Sequence, residues 1–267
     1  MNDGAKMAEL QNTDGAINLL AAQRQLHSDA KALYWVYGIA ATAPPVLACV
    51  VPNLSAIPMI ACVLLPVVSG RILTSLAEKR QREAASIQQE IDPYLYGIAF
   101  PNTEHDERLA ARRGRRYLMK KGASELLDWY RNIDGLPTGR AEYECQKTNI
   151  CWTMDIATVT LLIDLCVAAI ATTIATLGIK ESGTNAIAYV LLTPIIVWMV
   201  ECVIDRWCLR HATKRIKDSM EDLWEDDERH VKKAQDRIFE YRCRRPVPDF
   251  VYGLTKDAEQ QRVEARL

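Results

Sequence analysis

The 267-residue chain lacks most of what enzymes and secreted domains carry. Its four histidines (His27, His105, His211 and His230) form no metal-binding or nucleophile-activating arrangement. GxSxG, HExxH and P-loop motifs are all missing, so neither hydrolase, zinc-protease nor nucleoside-triphosphatase chemistry has its usual residues. No catalytic residue, cofactor or metal is therefore expected. A charge excess is missing too: 33 basic residues face 34 acidic ones, whereas a binder of duplex nucleic acid is clearly basic. There is no CxxC pair among the eight cysteines. Cys49, Cys62, Cys166 and Cys202 lie in apolar runs, where cysteine acts as a small hydrophobe, and a reducing compartment follows. A cleavable signal peptide is not expected, because some thirty polar residues precede the first apolar run. No β-rich block is visible.

What the chain does have is long apolar runs. Residues 156–209 read as two of them, each over twenty residues, around the loop KESGTN. At helical rise each is roughly 30 Å long, the thickness of a bilayer core. Residues 33–51 and 54–73 form an earlier pair around Pro52 and Asn53. Tyr34, Trp35 and Tyr37 open it as an aromatic belt, and Pro44-Pro45 is expected to kink it. The fold class expected is an all-α membrane protein, with four transmembrane helices in two hairpins and a helical cytoplasmic domain. Its segments are an N-terminal tail and helix (1–32), the first hairpin (33–73), a cytoplasmic helical region (74–155), the second hairpin (156–209), and a C-terminal helix and tail (210–267). The two short loops hold one basic residue, Lys180, so both termini are expected to be cytoplasmic. Arg71, Arg206 and Arg210 would then snorkel at the inner ends of the spans.

Three carboxylates interrupt the second hairpin: Asp164, Glu201 and Asp205. Counted from the cytoplasmic ends, Asp164 and Glu201 lie at similar depth, about 10–12 Å along their helices. Acidic residues at membrane depth face a bundle interior or a water-filled path. They are candidates for a pore or gate, an acidic ring favouring cations; the alternative is a hydrogen-bonded pair that fixes helix packing. Small residues four apart (Ala168, Thr172, Thr176) allow close helix approach.

Outside the runs the pattern is helical. Residues 1–14 lack periodicity and are expected to be disordered, with a helix following from Gly15. The second span continues as a helix that Pro93 is expected to end. A further helix is expected to start near Thr103, with Asp106 three residues on, and to run through Trp129-Tyr130-Arg131. Residues 210–245 place Ile216, Met220, Leu223, Val231, Ile238 and Tyr241 on one stripe, up to Pro246 and Pro248. The remaining tail is expected to dock as a strand-like piece.

The basic–aromatic stretch is the candidate ligand site. Arg112, Arg115, Arg116, Tyr117, Trp129, Tyr130 and Arg131 offer arginines for phosphates and rings for bases. The same spacing also describes a solvated helix face or a surface for anionic lipid, and by itself it favours these.

The central block resembles a known family. The run 87–92, Ile-Gln-Gln-Glu-Ile-Asp, followed by Trp129-Tyr130, Leu136-Pro137 and Cys145-Gln146-Lys147-Thr148-Asn149 with Trp152, is similar to the SMODS-associated four-transmembrane effectors of bacterial antiphage defence. AQRQLHSDAK and IFEYRCRRPVPDFVYGL resemble the family at the two ends. Ile91, Phe100-Pro101-Asn102, Lys147 and Thr153 depart from its pattern. The resemblance implies an inner-membrane effector of a cyclic-oligonucleotide (CBASS) system. A partner cyclase makes a cyclic nucleotide; the effector binds it through its cytoplasmic part, oligomerises and breaches the membrane in abortive infection. With it, Arg140 and Gln146 join the candidate ligand residues. The partners implied are the cyclic oligonucleotide, the lipid bilayer and further copies of the chain. A constitutive cation channel and a membrane-anchored scaffold are the competing functions.

Overall fold

Four helices of 37 to 43 residues carry most of the chain. The computed structural model describes residues 2–50, 56–99, 105–131, 133–182, 185–223 and 228–255. In order they form α1 (Gly4–Gln11), α2 (Asp14–Val50), α3 (Ala56–Tyr96), α4 (Glu107–Lys121), α5 (Arg140–Ser182), α6 (Asn185–Leu223) and α7 (Glu228–Arg242). A short helical stretch follows at 249–255, and no strand occurs among the described residues. The protein is all-helical.

The long helices pair as α2 with α3 and α5 with α6. Their distal halves turn large apolar side chains outward: Trp35 and Ile39 on α2, Leu65 and Val68 on α3, Leu162 and Ile170 on α5 are each about half exposed or more. Val200 and Ile204 on α6 do the same. Water would not tolerate so extensive a patch, and lipid would. Two stretches, Ile60–Tyr96 and Arg140–Thr173, are long and apolar enough to cross a membrane. Only 17% and 22% of their apolar windows are buried, so neither is the core helix of a soluble protein.

The proximal halves enter a helical body. One core joins Met7 of α1, Leu20 and Leu26 of α2, Ile87 and Ile91 of α3, Tyr117 of α4 and Leu126 of the following loop. A second joins Ile150 and Ala157 of α5, Leu209 and Ile216 of α6, and Ile238 and Tyr241 of α7. Ile156, Ala157 and Thr160 are buried, so the first turns of the apolar run at 156 pack inside this body. Outward apolar side chains on α5 begin at Leu162.

Several local expectations are revised. Residues 4–11 are helical, where disorder was expected. Asp3 caps α1 by accepting from the Lys6 N–H at 2.9 Å, and Gly4 N–H donates to the Leu136 carbonyl at 2.9 Å. Gln11 grips the Tyr130 backbone twice, donating to its carbonyl at 3.1 Å and accepting its N–H at 2.8 Å. Those anchors lie far along the chain, so no local pattern announces them. α3 continues one turn past Pro93 and ends at Tyr96, where Gly97 adopts φ 67. α2 runs through Pro44-Pro45 to Val50. α4 starts after Asp106, which accepts from the Leu109 N–H at 3.0 Å. It stops at Lys121 because Gly122 takes φ 73 and returns its N–H to Leu118, so Trp129-Tyr130-Arg131 lie in a loop. The stripe from 210 belongs to two helices, and residues 249–255 are helical where a strand-like piece was expected. Thr103, the Pro52-Asn53 turn, Phe100-Pro101-Asn102 and the tail from 256 lie outside the described residues.

Gly114 sets the approach of α4 to α2: a Cβ there would stand 2.6 Å from the Asn18 carbonyl oxygen. Gly114→Leu is expected to lower stability by about 1–3 kcal/mol by forcing the helices apart. Thermal melts followed by circular dichroism in detergent would check it, with Gly15→Leu as the control at a position with open space around it.

Candidate functional site

Asp92 sits at the centre of the helical body with 1% of its surface exposed. One carboxylate oxygen accepts from the Arg242 guanidinium at 2.6 Å and the Gln235 amide at 2.8 Å. The other accepts from the Tyr130 hydroxyl at 2.9 Å. Asn149 donates to that hydroxyl at 2.8 Å. Gln146 donates to the Val231 carbonyl at 3.0 Å and lies 3.3 Å from the Gln235 carbonyl oxygen. A buried charge is tolerated only when paired and fully hydrogen-bonded, as here. One ionised carboxylate thus ties α3, the 122–139 loop, α5 and α7 together. Burial pushes the Tyr130 hydroxyl well above its usual pKa, and the Asp92 charge adds to this. Burial and Asp92 likewise push up the Cys145 thiol, so no reactive thiolate forms there. For Arg242, burial works against the charge, but Asp92 outweighs it and raises the pKa.

The chain just beyond Arg242 reaches the middle of the long helices α2, α5 and α6. The Arg206 guanidinium on α6 donates to the carbonyls of Arg245 and Pro246, both at 2.8 Å. Asp164 on α5 lies 3.8 Å from the same guanidinium. Arg245 returns to α6 through Asp205 at 3.5 Å and lies over the Tyr34 ring of α2 at 4.4 Å. Arg206 is 3% exposed, so it does not snorkel toward headgroups as expected; it is turned inward onto backbone carbonyls. A five-residue segment, 242–246, therefore joins the Asp92 network to α2, α5 and α6.

The three candidate pore residues have separate partners. Asp164 faces Arg206, Asp205 faces Arg245, and Glu201 accepts from the Tyr37 hydroxyl at 3.0 Å. The candidate ligand residues are likewise divided. Arg112, Arg115 and Arg116 share the outward face of α4 with Arg108, Met119 and Lys120, along a shallow depression of about 600 Å³. Tyr117 is buried on the inner face, with its hydroxyl 3.5 Å from Glu125. Tyr130 and Gln146 belong to the buried network. Arg131 is exposed, and Arg140 pairs with Glu144 beside the Tyr143 ring. Trp129 lies under the Arg24 guanidinium, 4.8 Å from its ring centre. Reading along the sequence missed Arg24, Gln235, Arg242 and Arg245. Gln235, wholly buried on a charged helix, left no mark in the periodicity.

Residues of the central block thus meet in this network: Gln89, Asp92, Tyr130 and Gln146 are buried, and Asn149 is half-buried. Residues 5–267 match the family described as the SMODS-associating 4TM effector domain. The chain belongs to that family. No curated protein and no solved structure matches it. As a 4TM effector domain with outward apolar helices it is a membrane protein.

Removing one partner of a buried pair leaves an uncompensated charge. Arg242→Met is therefore expected to cost about 3–5 kcal/mol, and Asp92→Leu with Arg242→Met to recover much of it. Denaturant unfolding of the detergent-solubilised protein would check the pair, and a double variant weaker than the sum of the singles would refute the coupling. His27, in the α2–α3 seam, donates from Nδ1 to the Gln81 side-chain oxygen at 2.9 Å, and burial followed by nearby cations lowers its pKa to about 4. The unfolded chain then binds this proton more readily than the folded one. Stability contributed by neutral His27 is complete above about pH 6.5 and is lost as pH falls toward 4. His27→Gln is expected to flatten the melting temperature across that window.

Proposed function

We propose that this membrane protein is the effector of a cyclic-oligonucleotide antiphage system of the CBASS type. A partner cyclase supplies the messenger, the cytoplasmic helical body binds it, and oligomerisation or opening of the long helices disrupts the inner membrane, causing abortive infection. It spans the membrane four times in two hairpins, α2 with α3 and α5 with α6, with both termini cytoplasmic. It is not an enzyme: its output is a change in helix packing.

The observation that carries this reading is segment 242–246. Its first residue is held by the buried Asp92, and its last carbonyls are held by Arg206 midway along α6. A ligand that favours one position of α7 over another would be felt at α2, α5 and α6 through the same five residues. A messenger binding one arrangement 100-fold better shifts the equilibrium by about 2.7 kcal/mol. That is within the range needed to rearrange an interface of a few half-buried ion pairs. A constitutive channel would instead leave its carboxylates facing an open path. Asp164 and Glu201 are engaged by Arg206 and Tyr37, which favours a closed resting state that a ligand must open.

Purified protein in sealed liposomes is expected to release a small dye when a cyclic oligonucleotide is added and to hold it otherwise. Release without nucleotide supports the channel, and no release with toxicity retained in cells supports the scaffold. Once opened, Asp164→Asn with Glu201→Gln is expected to reduce cation preference several-fold, measured by reversal potentials. Unchanged selectivity removes these acids from the conducting path.

A further inference from the structure

Arg24 on α2 is a half-buried cation without a matching anion. Other half-buried or buried arginines have a hydrogen-bond or ion-pair partner: Arg113 with Asp29 at 2.6 Å, Arg80 with Glu83 at 3.0 Å, Arg242 with Asp92, and Arg210 and Arg237 with the Thr158 and Ser219 hydroxyls, both at 3.0 Å. Among the described residues, no carboxylate stands within ion-pair distance of Arg24. Its guanidinium lies 4.8 Å from the Trp129 ring centre and 6.0 Å from that of Tyr252. Tyr252 in turn stacks on Trp152, with ring centres 5.6 Å apart and planes within 7°. All four side chains are half-buried, so each keeps an edge at the surface. Within this one cluster two donors are buried with no acceptor, the Arg24 Nε–H and the Trp152 Nε1–H. Unpartnered nitrogens also occur on Arg113, Arg206 and Trp198; here two of them flank one ring with no carboxylate beside them, where an anion from outside would answer both. The surroundings are positive as well: Arg24, Lys31 and Arg242 each oppose protonation of the nearby His27.

Taking the proposed function as given, we infer that Arg24, with Trp129, Trp152 and Tyr252, is where the messenger binds: the guanidinium and indole N–H meet a phosphodiester, and Trp129 supports a base. Guanidinium forks match phosphate oxygens, and indole rings stack on any base, which suits a cyclic nucleotide of either purine. The unpaired cations on the outward face of α4 then attract the anion without reading it. The placement accounts for gating. Trp129 belongs to the 122–139 loop, Trp152 to α5, and Tyr252 to the helical turn that follows segment 242–246. Lys31 of α2 also pairs with Asp249 at the start of that turn. A ligand inserted here changes how the C-terminal turn sits on α2 and α5, and the 242–246 segment passes this to Arg206.

The full-length protein in nanodiscs would be titrated by calorimetry with cyclic dinucleotides and cyclic trinucleotides of adenosine and guanosine. One of them is expected to bind. Arg24→Gln is expected to weaken it at least tenfold, and Arg24→Lys less. Arg115→Glu with Arg116→Glu is expected to weaken it by less than Arg24→Gln and only at low salt. A well-folded Arg24→Gln or Arg24→Lys protein with wild-type affinity overturns the assignment but leaves the effector function intact. If no cyclic nucleotide binds the wild type, the function itself fails, and the assignment with it. To avoid dependence on variant folding, an azido-purine analogue of the bound nucleotide would be photo-crosslinked to the wild type and mapped by mass spectrometry. Label on Trp129 or Tyr252 supports the site, and label confined to residues 108–120 overturns it. Label displaced by phosphatidylglycerol nanodiscs but not by unlabelled nucleotide assigns the cluster to a lipid phosphate, and likewise overturns it.

Discussion

The protein depends on one buried ion pair. Asp92 and Arg242 are 150 positions apart in the chain, and both are nearly inaccessible to water. A carboxylate removed from water needs every oxygen lone pair answered, and α3 cannot do this alone. The Tyr130 hydroxyl from the loop before α5, and the Gln235 amide and Arg242 guanidinium from α7, supply the answers from two other parts of the chain. The segments outside the exposed apolar runs are thereby assembled into one body by polar satisfaction as well as by apolar packing. Apolar contacts tolerate sliding; a hydrogen-bonded charge does not. That directional demand gives the body a definite resting arrangement.

The same principle operates at the junction with the membrane helices. Arg206 is buried beside Asp164, and its guanidinium donates to two backbone carbonyls. Backbone acceptors cannot be moved without moving the chain that carries them. The position of 245–246 and the position of α6 are therefore linked, and Asp164 and Asp205 extend the link to neighbouring helices and back. The apolar exterior above this junction makes no comparable demands. Such a division suits a switch: a specified polar hub below, and a helix bundle above whose packing surfaces are nearly interchangeable in lipid.

Much of the architecture was legible along the chain. The apolar runs and the helical periods follow from local spacing, because helix formation and membrane insertion respond to contiguous residues. The boundaries were less so. The helix of 4–11 is held by Gln11 on the Tyr130 backbone, and α4 ends at Gly122 rather than running on through Trp129. The candidate ligand list mixed three environments for the same reason. Arg112, Arg115 and Arg116 are outward on α4, Tyr130 and Gln146 are buried, and Trp129 is covered by Arg24, a residue some hundred positions away.

The sequence by itself determined that the chain is helical, that its apolar runs suit a bilayer, and that its central block carries the effector family's residues. It could do so because hydrophobic length and period are properties of neighbours in the chain. Only the tertiary structure decided what the polar residues do. Whether Asp92 is a solvated acid or a buried hub, whether Arg206 reaches for headgroups or for carbonyls, and whether Arg24 is one more surface cation or an unpaired one between rings depends on groups far away in sequence. Charge is costly or useful according to what surrounds it in space, and no spacing along the chain records that.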